Sequence, residues 1–258
     1  MSGITVEQIE FFRDNGYLHC PGMIAGDDLA RLTVEVQAFV NNERETFFRS
    51  DLGGDSSVEL GQENFLQICG LWRTSGIVRE LALDSIRGGC AGALLDTDRV
   101  HLLSDMILVK PGNFSRATHW HQDFVDHSTS IPEVTMWVSL DTATEASGCM
   151  RYVPGSYKWG KLIGYDYGDG TNYEKQGVDV STAVTIEAAP GDVIFHHGLC
   201  VHGAGPNRTP DARRAYIIRY AHADTVYERN EPVYPTAEDV TGQHLNEQDH
   251  PVVWEAKQ

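Results

Sequence analysis

A histidine and an aspartate two residues apart, His121 and Asp123, are the residues of this chain whose types and spacing could hold a metal ion. In an extended strand, residues two apart project from the same face, so both side chains can approach one ion from one side. A second histidine from another strand would complete a set of two imidazoles and one carboxylate. Such a set leaves coordination positions open and is typical of non-heme iron(II) oxygen chemistry.

Three histidines in one later segment are candidates for the second imidazole: His196, His197 and His202. The segment follows a Pro-Gly-Asp turn and begins with a short apolar run, which predicts a strand. A lone histidine in a strand is more often a hydrogen-bonded structural residue than a ligand. Residue chemistry alone therefore does not choose among the three, and a short His-x-Asp by itself is a weak signal.

The composition limits the class of protein and its partners. The chain has 258 residues, of which 41% are hydrophobic, and a formal net charge of -17. This length and hydrophobic fraction predict a single domain, residues 1–258, with a sizeable core. The negative charge disfavours nucleic acid, anionic membranes and polyphosphorylated cofactors such as coenzyme A as partners. We therefore expect a small-molecule substrate, while the composition leaves the oligomeric state open.

Cysteine usage and the N-terminal sequence predict a cytoplasmic location. The five cysteines are odd in number and form no Cys-x-x-Cys pair, which predicts reduced thiols. The first residues lack the basic region and apolar run of a secretory signal. No apolar run reaches the length that a membrane-spanning helix needs.

The elements that must position these residues divide into a helical part and a strand-rich part. Residues 1–96 predict mostly helices, beginning with one that Thr5 caps and in which Gln8 occupies the capping-box position. The other predicted segments of this part are a strand at 17–20, a helix beginning at Asp27, a loop at 47–64 and a helix at 75–95.

Short apolar runs broken by Gly, Pro and Asp fill residues 97–222 and predict antiparallel strands. Helices first and many short strands later favour a sandwich or barrel with helices packed outside. A long stretch with three tyrosines and several glycines, residues 160–182, interrupts this pattern and predicts a lid, with a solvated insertion as an equal alternative. Residues 223–258 form a C-terminal extension. The predicted strands are 100–103, 106–109, 135–140, 150–153, 183–186, 193–196 and 214–220.

Several short segments occur in the order that one enzyme family shows. A Gly-Asp turn and an apolar strand lead to His202-Gly203, then Asn207, then Arg213. The segment Trp-His-Gln-Asp that ends at Asp123 is similar as well. From about residue 5 to residue 220 the chain thus resembles the phytanoyl-CoA dioxygenase family of iron- and 2-oxoglutarate-dependent oxygenases. Further similar segments are Lys110-Pro111-Gly112 and Val153-Pro154-Gly155-Ser156.

The resemblance implies a mainly β fold, a double-stranded β-helix (jelly-roll) core with flanking N-terminal α-helices. It implies that His121, Asp123 and His202 hold Fe(II), and that 2-oxoglutarate and O2 are co-substrates. It also implies that Arg213 binds the distal carboxylate of 2-oxoglutarate, which suits the bidentate fork of a guanidinium. Arg214 is the competing residue, but strand alternation points it to the other face.

Other positions of the family pattern refine this expectation. Trp137 stands where family members place a residue close to 2-oxoglutarate. Lys110 is a weaker candidate for the same site, and an exposed strand-end lysine is the alternative. Many relatives carry a serine where this chain has Ala204, so one hydroxyl contact to the co-substrate is missing. Asp123 favours hydroxylation over halogenation, because halogenating relatives replace this carboxylate. A structural zinc site is disfavoured, because it would take four protein ligands and only three are identified.

The substrate is not set by the fold or by the metal ligands. The charge balance favours hydroxylation of a free small polar metabolite, with release of succinate and CO2, over the acyl-CoA that the family name implies. A cupin-like metal-binding protein or isomerase, or an interaction module with an unused metal site, are the alternatives. Each candidate substrate contact has a scaffold hydrogen bond as its alternative. The candidate substrate contacts are Arg116, His119, Gln122, Asn207 and Tyr220.

Overall fold

The computed structural model describes residues 3–52, 65–113, 115–126, 129–162, 178–228 and 240–257. The first helix has the predicted capping box: the Thr5 hydroxyl accepts a hydrogen bond from Gln8 N (3.2 Å), and Gln8 Oε1 accepts one from Thr5 N (2.9 Å). It ends at Gly16, whose φ of +81° a glycine adopts without strain. The α-helices are α1 (Val6–Asn15), α2 (Gly26–Val40), α3 (Leu71–Thr74), α4 (Gly76–Ala82) and α5 (Ser85–Leu95).

The prediction of a single helix over residues 75–95 is wrong, because the helix is interrupted at Leu83 and Asp84, which separate α4 from α5. The carboxylate of Asp84 accepts a hydrogen bond from Arg87 N (2.9 Å) and so caps α5. Ser75 caps α4 in the same way. Apolar residues continue at helical spacing across the break, so only the bond between the Asp84 side chain and the backbone marks it.

The strands form two antiparallel sheets. They are β1 (Tyr17–Cys20), β2 (Phe48–Leu52), β3 (Phe65–Cys69), β4 (Arg99–Lys110), β5 (Thr118–His121), β6 (Val134–Ser139), β7 (Met150–Tyr152), β8 (Val184–Ile186), β9 (Val193–His197), β10 (His202–Ala204), β11 (Arg213–His222) and β12 (Val252–Glu255). The larger, eight-stranded sheet has the order β1-β9-β6-β11-β4-β3-β2, with β12 also pairing β4. The smaller sheet has four strands in the order β5-β10-β7-β8.

Strand β11 shows that the larger sheet is covered on both faces. Tyr216 and Tyr220 belong to a buried cluster with residues of the helices, whereas Ala215 and Ile217 belong to a second cluster with Tyr152 of the smaller sheet. Alternate residues of a strand face opposite sides. The larger sheet therefore packs on the helices with one face and on the smaller sheet with the other, which confirms the predicted mainly β fold with N-terminal helices.

Strand β4 joins two segments that were predicted as separate strands, 100–103 and 106–109. Between them Asp105 is fully buried, and its Oδ2 accepts hydrogen bonds from Trp72 N (2.9 Å) and from the Tyr216 hydroxyl (2.9 Å). A polar residue between apolar runs resembles a turn in sequence. Here its partners come from α3 and β11, so the strand continues.

Two further predictions meet the limits of the described residues. The predicted loop at 47–64 is partly wrong, because Phe48–Leu52 forms β2 and pairs with β3, while residues 53–64 lie outside the described residues. Residues 163–177 of the predicted lid also lie outside them, so the lid and the single-domain organisation stay predictions. Within the described ranges, every helix is too short or too polar to span a lipid bilayer.

Candidate metal centre

The three predicted metal ligands meet where β5 pairs with β10. His121 ends β5, His202 begins β10, and the two residues lie directly opposite each other in the antiparallel pair. Asp123 follows β5 and begins a short 3-10 helix. One ligand atom from each of the three side chains lies within 4.8 Å of the other two. The pairing of these strands thus brings together residues that are far apart in sequence.

Hydrogen bonds to backbone carbonyls orient both imidazoles. Nδ1 of His121 lies 2.8 Å from His119 O, and Nδ1 of His202 lies 2.9 Å from Cys200 O. A carbonyl oxygen only accepts, so Nδ1 carries the proton in each ring and Nε2 keeps the lone pair that a metal ion needs. Oδ1 of Asp123 lies 3.5 Å and 3.6 Å from the two Nε2 atoms. Two imidazole nitrogens and one carboxylate oxygen fit a divalent metal ion.

Burial and neighbouring charges set the protonation of two of these side chains. Burial raises the pKa of Asp123, but Arg219 and then His202 outweigh it and hold that pKa well below its ordinary 3.8. Burial, with His121 and His196 nearby, holds the pKa of His202 well below its ordinary 6.5. At neutral pH the site therefore offers an ionised carboxylate and a neutral imidazole, which are the forms that bind a metal.

A buried arginine with unused hydrogen-bond donors lies in the same interior. Arg213 is 3% exposed, and its Nε and Nη1 have no hydrogen-bond partner among the described residues. The same holds for the indole nitrogen of Trp137, whose ring lies 5.5 Å from Arg213 Cζ. Burial lowers the pKa of Arg213 to about 10, so the guanidinium stays charged at neutral pH. A buried charge with free donors is costly unless an anion fills the space.

Strand β6 connects this arginine with the metal ligands. Thr135 and Trp137 are two residues apart on β6 and so project from the same face. The Thr135 hydroxyl donates to Asp123 Oδ2 (2.9 Å), while the Trp137 ring contacts the Arg213 guanidinium. The metal ligands and the buried arginine therefore share the space between the two sheets.

The structure places the two competing arginines on opposite faces of β11 and shows that Lys110 is buried. Arg214 faces the other way, as strand alternation predicted, and its Nε and Nη2 donate to Asp141 at 2.9 and 2.6 Å. Lys110 is 1% exposed and lies directly opposite Arg213, so the alternative of an exposed strand-end lysine is wrong. Its Nζ donates to Arg116 O (2.7 Å), and burial and then Arg213 hold the pKa of Lys110 well below its ordinary value.

The positions of Asn207 and Tyr220 favour a scaffold role for both residues, and their predicted contact with a substrate stays a prediction. Asn207 is fully buried, and its amide nitrogen donates to three backbone carbonyls, including that of Asp211 (2.8 Å). Its side-chain oxygen accepts hydrogen bonds from Thr209, so the whole amide holds the turn before β11. Tyr220 lies on the face of β11 that packs on the helices, away from Arg213.

Among the other candidate substrate contacts, Gln122 also has a scaffold role. Its Nε2 donates to Gly160 O (2.9 Å) and Leu199 O (2.8 Å), and its Oε1 accepts from Leu162 N (2.9 Å). All three bonds go to the backbone, at the start of the 160–182 stretch and at Leu199, which supports a scaffold role, and the predicted substrate contact of Gln122 stays a prediction. Two further candidates, Arg116 and His119, are exposed and stay predictions.

The structure also places further residues at the centre, beyond the predicted ligands and co-substrate contacts. Arg219 lies on the same face of β11 as Arg213, and its Nη2 lies 3.5 Å from Asp123 Oδ1. Glu133 is buried nearby; burial raises its pKa to about 7, although Arg219 opposes the shift. Alternation along β11 would have placed Arg219 with Arg213. Thr135, which contacts Asp123, carries no such local signal, and the sequence offered His196 only as an alternative metal ligand.

Comparison with known proteins agrees with this arrangement. The family model described as Phytanoyl-CoA dioxygenase (PhyH) matches residues 12–215. A probable phytanoyl-CoA dioxygenase of Caenorhabditis elegans is 37% identical over 95 residues, which cover 34% of this chain and 30% of that protein. A probable alpha-ketoglutarate-dependent hypophosphite dioxygenase of Stutzerimonas stutzeri is 27% identical over 241 residues, 84% of this chain and 79% of that protein.

A solved structure shows the same fold over nearly the whole chain. The non-heme alpha ketoglutarate dependent epimerase SnoN from nogalamycin biosynthesis superposes with a TM-score of 0.80 at 23% identity, covering 97% of this chain and 96% of that one. The family model spans most of the chain, including every residue of the metal centre described above except Arg219. This chain therefore belongs to the phytanoyl-CoA dioxygenase family of iron- and 2-oxoglutarate-dependent dioxygenases.

Proposed function

We propose that this dioxygenase hydroxylates a small, free polar metabolite and converts 2-oxoglutarate to succinate and CO2. The observation that carries the proposal is the buried Arg213, whose unused donors face the interior that also contains His121, Asp123 and His202. A metal site alone would serve many functions. A metal site beside a buried cation that forms no salt bridge within the described part of the chain fits an enzyme with an anionic co-substrate.

The proposed metal ligands are Nε2 of His121, Nε2 of His202 and Oδ1 of Asp123. Their backbone hydrogen bonds fix both ring orientations before any ion binds, which reduces the cost of ordering the site. Three protein ligands leave positions for a co-substrate and for O2. Iron(II) with 2-oxoglutarate supplies the oxidative chemistry, and the protein supplies orientation and exclusion of water.

The proposed co-substrate site is formed by Arg213, Trp137 and Lys110. The guanidinium of Arg213 would hold the distal carboxylate of 2-oxoglutarate through two donors, and the Trp137 indole nitrogen offers a third. Lys110 lies opposite Arg213 in the next strand and adds positive charge when protonated. Ala204, on β10 with His202, offers no hydroxyl, so the arginine carries more of the binding than in relatives with a serine there.

The substrate would approach from the side of Arg219 and His121. The Arg219 and His121 side chains are 18% and 19% exposed, whereas the His202 side chain is 4% exposed. Arg219 thus presents a charge near the metal ligands on the more accessible side, which supports a polar substrate. The exposed Arg116 and His119 stay in the proposal as outer contacts of the substrate.

For the fold, we propose that the two sheets form the double-stranded β-helix of the family.

The alternatives have less support. A net charge of -17 disfavours the acyl-CoA reading, because coenzyme A brings several negative charges of its own. A cupin-like isomerase, or a binding protein that does not use oxygen, has no need of a buried arginine with free donors. The proposal therefore keeps the oxygenase reaction and a free metabolite as substrate.

Oxygen uptake by the Fe(II)-loaded protein with 2-oxoglutarate tests the proposal. The probes are a panel of amino acids, betaines, small phosphonates and acyl-CoAs, each with succinate measured in parallel. We expect one class of small polar molecule to stimulate uptake, and His202→Ala to abolish the stimulation. Stimulation by acyl-CoAs alone would replace the proposed substrate class, and a protein that binds Fe(II) without any uptake would favour the cupin-like alternative.

A further inference from the structure

The two oxygens of the Asp123 carboxylate have different surroundings. Oδ1 faces the Nε2 atoms of His121 and His202. Oδ2 lies 2.9 Å from the Thr135 hydroxyl and 3.1 Å from Nε2 of His196. Oδ1 is thus directed to the metal position and also lies 3.5 Å from Arg219 Nη2, whereas the two shorter contacts, from Thr135 and His196, are both with Oδ2.

His196 is placed for this contact by a second hydrogen bond. It is 1% exposed and lies outside the group of three residues whose ligand atoms approach one another within 4.8 Å. Its Nδ1 lies 3.2 Å from the hydroxyl of Tyr152, which is itself fully buried. A carboxylate only accepts, so Nε2 of His196 donates to Oδ2, and the hydrogen bond between the Tyr152 hydroxyl and Nδ1 fixes the ring.

Strand register brings the two donors to the same oxygen. Thr135 on β6 and His196 on β9 are direct partners in the antiparallel pair. Tyr152 on β7, which fixes the imidazole, is the direct partner of His202 on β10. The contact therefore links both sheets across the metal position, and it depends on side chains from three strands outside the ligand set.

We propose that His196 and Thr135 are positioning residues that occupy Oδ2, so that Asp123 binds iron through Oδ1 alone. This inference rests on the proposed function and deepens it. A carboxylate that bound through both oxygens would take one of the positions that the co-substrate and O2 need. Two donors on Oδ2 also hold the carboxylate plane, which otherwise turns freely about its terminal bond.

Matched pairs of variants separate the hydrogen bond from the space that it fills. Thr135→Val removes the donor at nearly constant volume, and Thr135→Ser keeps it. His196→Leu removes the ring, and His196→Gln keeps an N–H at a similar reach. Tyr152→Phe removes only the hydroxyl that fixes the imidazole ring, so it tests the arrangement even if His196→Leu does not fold.

The measurement is Co(II) affinity by competition with a metallochromic chelator, followed by 2-oxoglutarate affinity of the Co(II)-loaded protein and its visible absorption spectrum. We expect Thr135→Val and His196→Leu each to weaken Co(II) binding about 10- to 100-fold, the usual effect of removing such an outer contact. We expect Thr135→Ser and His196→Gln to stay near the wild-type affinity, and Tyr152→Phe to lie between them. The Co(II) spectrum of the two weakened variants should change as the carboxylate changes its binding.

Three outcomes would overturn the inference, and each is distinct from failure of the proposed function. Unchanged Co(II) affinity and spectrum in Thr135→Val, His196→Leu and Tyr152→Phe would show that Oδ2 needs no fixed donors. Equal losses in the donor-keeping and donor-removing variants would show a packing effect. Loss of the metal in His196→Leu with retention in His202→Ala would make His196 a ligand. A wild-type protein that binds neither Co(II) nor 2-oxoglutarate would instead contradict the proposed function itself.

Discussion

Arg213 and Arg214 are neighbours in sequence whose guanidinium groups lie on opposite faces of one sheet. Arg214 donates to the Asp141 carboxylate at 2.6 and 2.9 Å, whereas Arg213 is 3% exposed with two nitrogens that lack partners among the described residues. The chain thus supplies a matched pair for testing the co-substrate site. One arginine already has its anion, and the other has donors available for one.

We predict that Arg213→Gln weakens 2-oxoglutarate binding to the Mn(II)-loaded protein by at least about 30-fold, since losing a buried charge partner costs about 2–5 kcal/mol. Arg214→Gln should leave this affinity unchanged and lower only the free energy of unfolding. Isothermal titration calorimetry and urea unfolding measure the two effects. Equal loss of affinity in both variants would argue against a specific carboxylate site at Arg213.

Restoring the hydroxyl that the family pattern carries should strengthen the same site. We predict that Ala204→Ser tightens 2-oxoglutarate binding about 3- to 10-fold, because a hydroxyl bond to a charged carboxylate contributes about 1 kcal/mol or somewhat more. Metal affinity should not change, and Ala204→Val serves as the control that adds volume without a hydroxyl. Weaker 2-oxoglutarate binding in the serine variant would place the distal carboxylate elsewhere.

Asp105 should make the stability of the protein depend on pH. Burial raises its pKa to about 7, although bonds from Tyr216 and the backbone oppose the shift. A carboxyl whose folded pKa is raised destabilises the folded state as pH rises from the unfolded pKa towards the folded one. The contribution to the free energy of unfolding should therefore fall between about pH 4 and pH 7, by at most about 1.4 kcal/mol per pH unit.

The variant Asp105→Asn should lack this dependence. We predict that its stability relative to the wild type improves steadily from pH 5 to pH 7 and is constant above that range. Urea unfolding at each pH measures it, and the exposed Asp211→Asn is the control. A constant difference between wild type and Asp105→Asn across this range would mean that Asp105 does not titrate there.

Asn207 should act on stability rather than on substrate choice. Its amide nitrogen donates to the backbone carbonyls of Lys110, Pro111 and Asp211, so Asn207→Ala removes a donor from these acceptors, the first of which is buried. We predict a loss of about 2–4 kcal/mol in the free energy of unfolding, since each buried unsatisfied group costs about 1–3 kcal/mol and part of the turn can relax. The order of preference among substrates in the oxygen-uptake panel should not change. A new preference with unchanged stability would return Asn207 to the substrate site.

The sequence predicted the parts of the site that local spacing or family pattern encodes. His121 and Asp123 lie two residues apart at the end of one short strand, and resemblance to the family selects His202 among three histidines. The structure brings His121, Asp123 and His202 together. Alternation along β11 also explains why Arg213 and Arg219 face the interior while Tyr220 faces the helices. The positions of Arg219 and Tyr220 therefore follow from the same strand pattern that separates Arg213 from Arg214.

The contacts around Asp123 could not be predicted from the sequence. Thr135 and His196 reach its Oδ2 from two other strands, so their role depends on register between strands distant in sequence. The sequence pattern does not predict the interruption between α4 and α5, for a related reason. A single bond from the Asp84 side chain to the backbone interrupts an apolar pattern that otherwise continues. In both cases side-chain hydrogen bonds decide what the residue pattern leaves open.

The central claim is that metal and co-substrate act together at this site on a small polar metabolite. The most direct measurement is succinate formed from 2-oxoglutarate against O2 consumed, in Fe(II)-loaded protein with the metabolite that stimulates uptake. We predict equal amounts of the two for the wild type, and loss of both in His202→Ala and Arg213→Gln but not in Arg214→Gln. Fe(II)-loaded protein that forms no succinate with any member of the panel would contradict the account.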